Sequence, residues 1–161
     1  MEQRPELFRK PSSVERVFNH IFGVCVSLGV GHDHNYSLQV RGRKSGRLYS
    51  TPVNWIEVNG RRYLVCPRGR AQWVRNAEAS GLVTLRRGSH RIECSLRPVT
   101  DAEKPELLKA YLDRFSSVVQ RYFPVVAGSS PDAFKPYLDQ YPVFEIETPP
   151  RQVSPDPQRA S

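Results

Sequence analysis

Apolar residues return along this chain with two different periods. Val14, Val17, Phe18, Ile21, Phe22 and Cys25 recur at three- and four-residue steps behind Ser12-Ser13-Val14-Glu15, which has capping-box spacing. That pattern predicts a helix over 13–28, and Gly29 to His34 read as a loop. From Tyr36 the period falls to two. Tyr36, Leu38 and Val40 alternate with Ser37, Gln39 and Arg41, as in a half-buried strand. Gly42 to Gly46 is a turn, a second strand runs from Tyr49 to Val58, and Asn59-Gly60 is a type I′ hairpin dipeptide. The third strand, Arg62 to Cys66, holds Tyr63, Leu64 and Val65 in succession, which suits a strand covered on both faces. Gln72 to Ser80 predicts a short helix stopped by Gly81. Strands follow over 82–85 and 92–98. Thr100-Asp101-Ala102-Glu103 is a second capping box, ahead of a helical stripe of Leu107, Leu108, Tyr111, Leu112 and Phe115. Val118, Val119, Tyr122 and Phe123 extend the stripe to Pro124. A short helix over 133–138 and a strand around Phe144 and Ile146 complete the series.

Six short strands with hairpin-length connections and few helices favour a mainly β, α+β fold: a small antiparallel barrel decorated by helices. The expected organisation is a flexible leader over 1–11, one domain over 12–147 and a disordered tail over 148–161. The tail is Pro- and Ser-rich with almost nothing to bury. With 161 residues, 39% hydrophobic and 25% charged, one ordinary soluble domain fits, and a collagen or a two-domain enzyme does not. No apolar run approaches the ~20 residues that span a bilayer. The longest, Ile21 to Val30, is broken by Gly23, Ser27 and Gly29. The first ten residues lack the pattern of a secretory signal, and Cys25, Cys66 and Cys94 are odd in number and far apart. A reduced, cytoplasmic setting is the simplest expectation.

Charge changes this picture. Residues 1–40 carry four bases and four acids, residues 41–97 thirteen bases and three acids, and residues 98–161 seven bases and nine acids. The net charge of +8 is therefore concentrated in a middle third of +10. Such a field attracts phosphates, carboxylates or anionic membrane surfaces.

Two segments in that third can carry chemistry. Arg41-Gly42-Arg43-Lys44-Ser45-Gly46-Arg47 places four cations, two glycines and a hydroxyl between two strands, a composition suited to an anion-binding concavity. It is not a Walker A loop, since the spacing fails and no helix follows. Read alone, it is equally a solvated hairpin turn. In Cys66-Pro67-Arg68-Gly69-Arg70-Ala71-Gln72-Trp73-Val74-Arg75-Asn76, a strand end, a Pro-Gly break and a helix start present free backbone N–H groups. Trp73 and Asn76 share a helical face. Taken locally, Trp73 is also a plain core residue and Asn76 a cap-like surface residue. His32-Asp33-His34 has too few neighbouring ligands for a metal site, and the cysteines are too isolated for zinc.

Together these segments, from GRKSGRLYSTPVNW through VCPRGRAQWVRN, resemble the deazaflavin-dependent nitroreductase and quinone reductase family of split-barrel oxidoreductases. The resemblance covers residues 36–147 and adds PVFEI at 142–146. It implies a six-stranded split barrel of the flavin- and deazaflavin-binding type and coenzyme F420 as cofactor. It assigns Lys44 to the cofactor's phosphate and acidic tail, with Arg43, Ser45 and Arg47 beside it. It sets Pro52 and Val53 along the cofactor, Cys66, Pro67, Arg68 and Gly69 at the ring, and Gln72, Trp73 and Asn76 at the helix start that closes the site. This polyanionic cofactor suits a +10 segment. Val74 and Tyr49 depart from the pattern of nitro-reducing members.

The implied reaction moves hydride from reduced F420 to an electron-poor small-molecule acceptor: a quinone, enone, imine or nitro compound. No metal is required. Tyr111 and Tyr122 are the side-chain candidates for proton donation, and solvent is an equally simple donor. Other readings are an enzyme using flavin mononucleotide (FMN), a non-catalytic carrier of cofactor or lipid, and a basic nucleic-acid-binding domain. Against the last, no specific nucleic-acid motif is present. The first predicted helix packs on the barrel or touches a membrane surface, and the chain is expected as a monomer or homodimer.

Overall fold

A computed structural model describes residues 35–148. The predicted helix over 13–28, the loop with His32-Asp33-His34, Cys25, and the leader and tail segments beyond these bounds lie outside the described residues. Within them, six strands form a closed antiparallel barrel in the order β1-β2-β3-β6-β5-β4. The strands are β1 (Asn35–Arg41), β2 (Leu48–Val58), β3 (Arg61–Val65), β4 (Val83–Arg87), β5 (His90–Pro98) and β6 (Val143–Glu147).

Two long strands make the barrel from two halves. β2 pairs with β1 from Leu48 to Asn54 and with β3 from Trp55 to Val58. β5 likewise pairs with β4 up to Cys94 and with β6 from Ser95. Asn59 and Gly60 both take positive φ, 51° and 74°, as a type I′ turn requires. Strand bounds differ from the periodicity by one or two residues, because the last backbone pairs at the β4–β5 hairpin join polar residues such as Arg87 and His90.

Two helices and two 3-10 segments pack on the barrel. Helix α1 (Gln72–Ser80) ends at Gly81, whose φ of 72° gives the left-handed cap. Helix α2 spans Lys104–Val119. Its capping box forms in part: Glu103 Oε2 accepts the Thr100 backbone N–H at 2.7 Å, while the regular helix starts only at Lys104. The predicted continuation to Phe123 tightens into a 3-10 turn over Gln120–Tyr122, after non-helical φ/ψ at Phe115. The segment expected as a helix over 133–138 is 3-10, Pro131–Gln140, with Pro136 inside it.

The alternation of β3 explains its unbroken apolar run. Leu64 joins Leu38, Val40, Val53, Trp55 and Leu85 in the barrel interior. Tyr63 and Val65 face outward into a second core with Leu108, Tyr111, Leu112, Phe134 and Tyr141. Phe144 packs with Cys66 and Val74 in a third cluster beneath α1. That cluster fixes α1, and the loop leading into it, against the barrel end.

Candidate functional site

The turn between β1 and β2 is shaped by its own backbone. Gly42 N–H donates to the Arg47 carbonyl at 2.7 Å, and Gly46 N–H to the Gly42 carbonyl at 2.9 Å. Arg41 Nη1 donates to the Gly46 carbonyl at 3.1 Å, and Arg47 N–H to Ser45 Oγ at 3.2 Å. A Cβ on Gly42 would stand 2.6 Å from Tyr49 Cε2 and 2.8 Å from Ser45 Oγ, so the tyrosine ring lies where only glycine leaves room. The side chains of Lys44, Ser45 and Arg47 are exposed.

Arg43 turns the other way. Its backbone N–H donates to Asn76 Oδ1 at 3.2 Å. Its Nη1 donates to the same oxygen at 2.8 Å and to Gln72 Oε1 at 2.9 Å. Asn76 is buried, only 5% exposed, so it is no surface residue. The basic turn and the start of α1, 29 to 33 residues apart in the chain, are thus one unit. Half-buried Trp73 packs on Phe144, with ring centroids 6.0 Å apart.

The loop 66–71 precedes Gln72 and leads to a second group. Arg68 Nε and Nη2 both donate to the Tyr122 hydroxyl, at 3.3 and 2.9 Å, and the guanidinium lies 5.3 Å from that ring's centroid. The Arg121 guanidinium stands 4.8 Å from the same ring. The Tyr122 carbonyl accepts the Tyr141 hydroxyl at 2.7 Å. Gly69 has φ of 75°, a conformation costly for any residue with a side chain.

Several expected site residues have side chains that point away from solvent. Val53 fills the barrel interior, and Pro52 is half-buried opposite Ser37. Burial pushes the Cys66 thiol up to about 11, against hydrogen bonds from the Ala71 and Arg68 backbone and the Trp73 side chain. It is a neutral thiol that supports the loop from beneath. Burial also raises the Tyr111 phenol, with further upward effects from Cys66 and Tyr122 nearby. Tyr111 is 3% exposed and belongs to the core. The structure therefore joins Arg43, Gln72 and Asn76, joins Arg68 to Tyr122, and leaves Lys44, Ser45 and Arg47 open. Sequence reasoning missed Arg121 and Tyr141. Arg121 was legible as a cation next to an aromatic; Tyr141 gave no signal, because its hydroxyl bond depends on a 3-10 segment.

A shallow concavity at the opposite end of β2 is lined by Glu57, Arg61, Arg62 and Glu145. Its charges answer each other, Arg62 to Glu57 at 3.8 Å and Arg61 to Glu145 at 3.7 Å. Among the described residues no group of His, Cys, Asp or Glu could hold a metal ion, and no helix is long and apolar enough to cross a membrane.

No curated protein matches the chain. Among solved structures, a protein of unknown function from Agrobacterium tumefaciens, Atu2129, is 14% identical with a TM-score of 0.50. The match covers 89% of this chain, which spans only 58% of that one. A structure described as a domain-swapped dimer is 17% identical, covering 83% and 96% of the two chains, with a TM-score of 0.51. HutZ, the heme storage protein of Vibrio cholerae, is 12% identical over 75% and 84%, with a TM-score of 0.52. At these identities the likeness is one of fold, and it agrees with a split barrel. The model of the F420H2-dependent quinone reductases matches residues 20–127, two segments of which carry the basic turn and the loop leading into α1. The chain belongs to the F420H2-dependent quinone reductase family, oxidoreductases whose cofactor is coenzyme F420.

Proposed function

We propose that this protein is a reductase that binds F420 across the unit formed by the basic turn, α1 and loop 66–71, and reduces an electron-poor organic acceptor there. A quinone is the acceptor the family description favours; enones, imines and nitro compounds share the required chemistry. The donor set fits the cofactor. From Arg41 to Ala77 the chain holds nine bases and a single acid, Glu57, so a phosphodiester and a glutamate tail meet no repelling carboxylate in the turn. When bound, F420H2 supplies the hydride.

The chain's own residues do the rest. Lys44 and Arg47 hold the anionic tail, with Ser45 as a hydroxyl partner. Arg43 anchors these cations by tying the turn to Gln72 and Asn76. Pro67 and Gly69 shape the loop so that its backbone amides stabilise charge at the ring position. Tyr122 is the proton donor. Its oxygen accepts two N–H groups from Arg68, so its own proton is turned away from that guanidinium. Arg68 holds the Tyr122 oxygen in place, and the Arg121 guanidinium lies over the same ring. Replacing Tyr122 by Phe is expected to lower kcat about 100-fold. A rate unchanged at all pH values would assign protonation to solvent.

The observation that carries this reading is the double hold of Asn76 on Arg43, which joins the polyanion-binding motif to the helix start. The test is a titration with F420, followed by cofactor fluorescence, with FMN as competitor. Saturable binding that survives excess FMN is expected. Lys44→Glu should weaken it about tenfold or more, the effect of losing a charge-assisted contact. Unchanged affinity in that variant would remove Lys44 from the tail site, and absence of F420 binding would end the reading.

A further inference from the structure

The Tyr122 ring has more positive charge around it than the cofactor reading uses. The Arg68 guanidinium lies 5.3 Å from its centroid and the Arg121 guanidinium 4.8 Å. Arg68 is half-buried and Arg121 exposed. Among the described residues neither forms an ion pair. The fold treats other partly covered cations differently: Arg97 meets Glu103 and Glu145, and Lys109 meets Asp113. Two guanidiniums on one ring repel each other, and a half-buried charge without a counter-charge is costly. The hydrogen bonding of Arg68 is also one-sided. Its Nε and Nη2 both donate to the Tyr122 hydroxyl. That leaves the Nη1–Nη2 edge, a fork matched to the two oxygens of a carboxylate or similar anion. The neighbouring loop is pinned. Gln120 Nε2 donates to the Val125 carbonyl at 2.8 Å, and the Ala127 N–H donates to Gln120 Oε1 at 2.9 Å. Between these contacts Val126 is 68% exposed, an apolar surface beside the turn that carries Arg121 and Tyr122.

We infer that this site takes an anionic group of the acceptor, a carboxylate or sulfonate on an apolar ring system, an assignment that rests on loop 66–71 being the ring end of the cofactor site. On that reading the phosphate and glutamates of F420 are held at the basic turn by Lys44 and Arg47, and the ring itself carries no carboxylate. An anion beside Arg68 therefore comes from the second substrate. Seated on the Nη1–Nη2 edge of Arg68, with Arg121 close by, it fixes the acceptor next to the Tyr122 hydroxyl, the proton donor. It also offsets the repulsion between the two guanidiniums, so the site selects acids over their neutral analogues.

The test is calorimetric titration of naphthoate, and of its neutral amide naphthamide, into the F420-loaded and the cofactor-free protein. Naphthoate is expected to bind the loaded protein at least about tenfold more tightly than the amide, the effect of a charge-assisted hydrogen-bonded pair. Arg121→Gln, at an exposed position, should keep its melting temperature and lose about threefold of that preference. Arg68→Gln should remove the preference altogether. With anthraquinone carboxylate and its methyl ester as acceptors, the acid should be favoured in KM, and Arg121→Gln should narrow the difference. Equal binding of acid and amide by a protein that binds F420 would overturn the inference and leave the cofactor reading standing. Naphthoate bound only by the cofactor-free protein and displaced by F420 would also overturn it, since the guanidiniums would then belong to the cofactor. A preference for the acid in a protein that fails to bind F420 would uphold the anion site and end the cofactor reading instead.

Discussion

One oxygen of Asn76 holds both the backbone and the guanidinium of Arg43, and its burial makes that hold matter. Replacing Asn76 by Ala leaves the Arg43 N–H without its partner at a part-buried position, an expected cost of ~1–3 kcal/mol. Gln72 reaches the same guanidinium from an exposed position, where water replaces it. Thermal unfolding and F420 titration should therefore separate the two: Asn76→Ala lowers both stability and affinity, whereas Gln72→Ala changes each slightly. Equal effects from the two variants would contradict the anchoring role of Asn76. Part of this was legible in the sequence. Two glycines, four cations and a hydroxyl mark the turn, and the Trp-x-x-Asn spacing marks a helical face. The direction of Arg43 was not legible, because charge pattern alone does not say which cation turns inward toward a side chain 33 residues away. Nor was the burial of Cys66 and Val53 legible, whereas Tyr111 already stood in the apolar stripe of the predicted helix; all three side chains serve the core.

At the scale of elements, hydrophobic period sufficed wherever packing decides the structure. Alternation marks β1, β5 and β6, the unbroken apolar run marks β3, the Gly81 stop marks the end of α1, and the Asn59-Gly60 turn follows from dihedral preference. It failed at 133–138, since period does not separate an α-helix from a 3-10 helix around Pro136. It also failed to show how α2 begins. There Glu103 accepts from Arg97 Nη2 at 3.0 Å and from the Thr100 backbone, and Arg97 also pairs with Glu145 on β6. The Arg97 hydrogen bond and then the Thr100 N–H bring the Glu103 carboxyl down from 4.5 to about 2. A carboxylate held low in the folded state stabilises the fold above its unfolded value, and that contribution is lost as pH falls through the folded value. Stability should thus decline between pH 4.5 and about 2, and Glu103→Gln should already lack this contribution at neutral pH. Chemical denaturation across that range checks this: the variant must show a shallower acid-side slope than the wild type. Parallel slopes would mean that the Arg97 cluster does not couple β5 to α2.

The whole molecule is a charge-sorted barrel. Its middle third holds +10 of net charge, and the fold gathers Arg41, Arg43, Lys44 and Arg47 at one end of the β1–β2 ladder. The far end of β2 presents acids and bases that pair among themselves. A ligand with a phosphodiester and several carboxylates meets four cations together at the β1–β2 turn. The cations that draw it are exposed, so mobile ions screen them; the screening length shrinks from about 10 Å at 0.1 M salt to about 3 Å at 1 M. Affinity for F420 should fall about tenfold between low salt and ~0.5 M, mainly through slower association. FMN, with a single phosphate and no acidic tail, should lose much less. Lys44→Glu should flatten the salt dependence for F420, because the variant removes one attractive charge and adds a repulsive one. Stopped-flow measurement of the association rate against ionic strength tests all three statements. A salt-independent rate would place recognition in the apolar and backbone contacts of loop 66–71 and not in the basic turn.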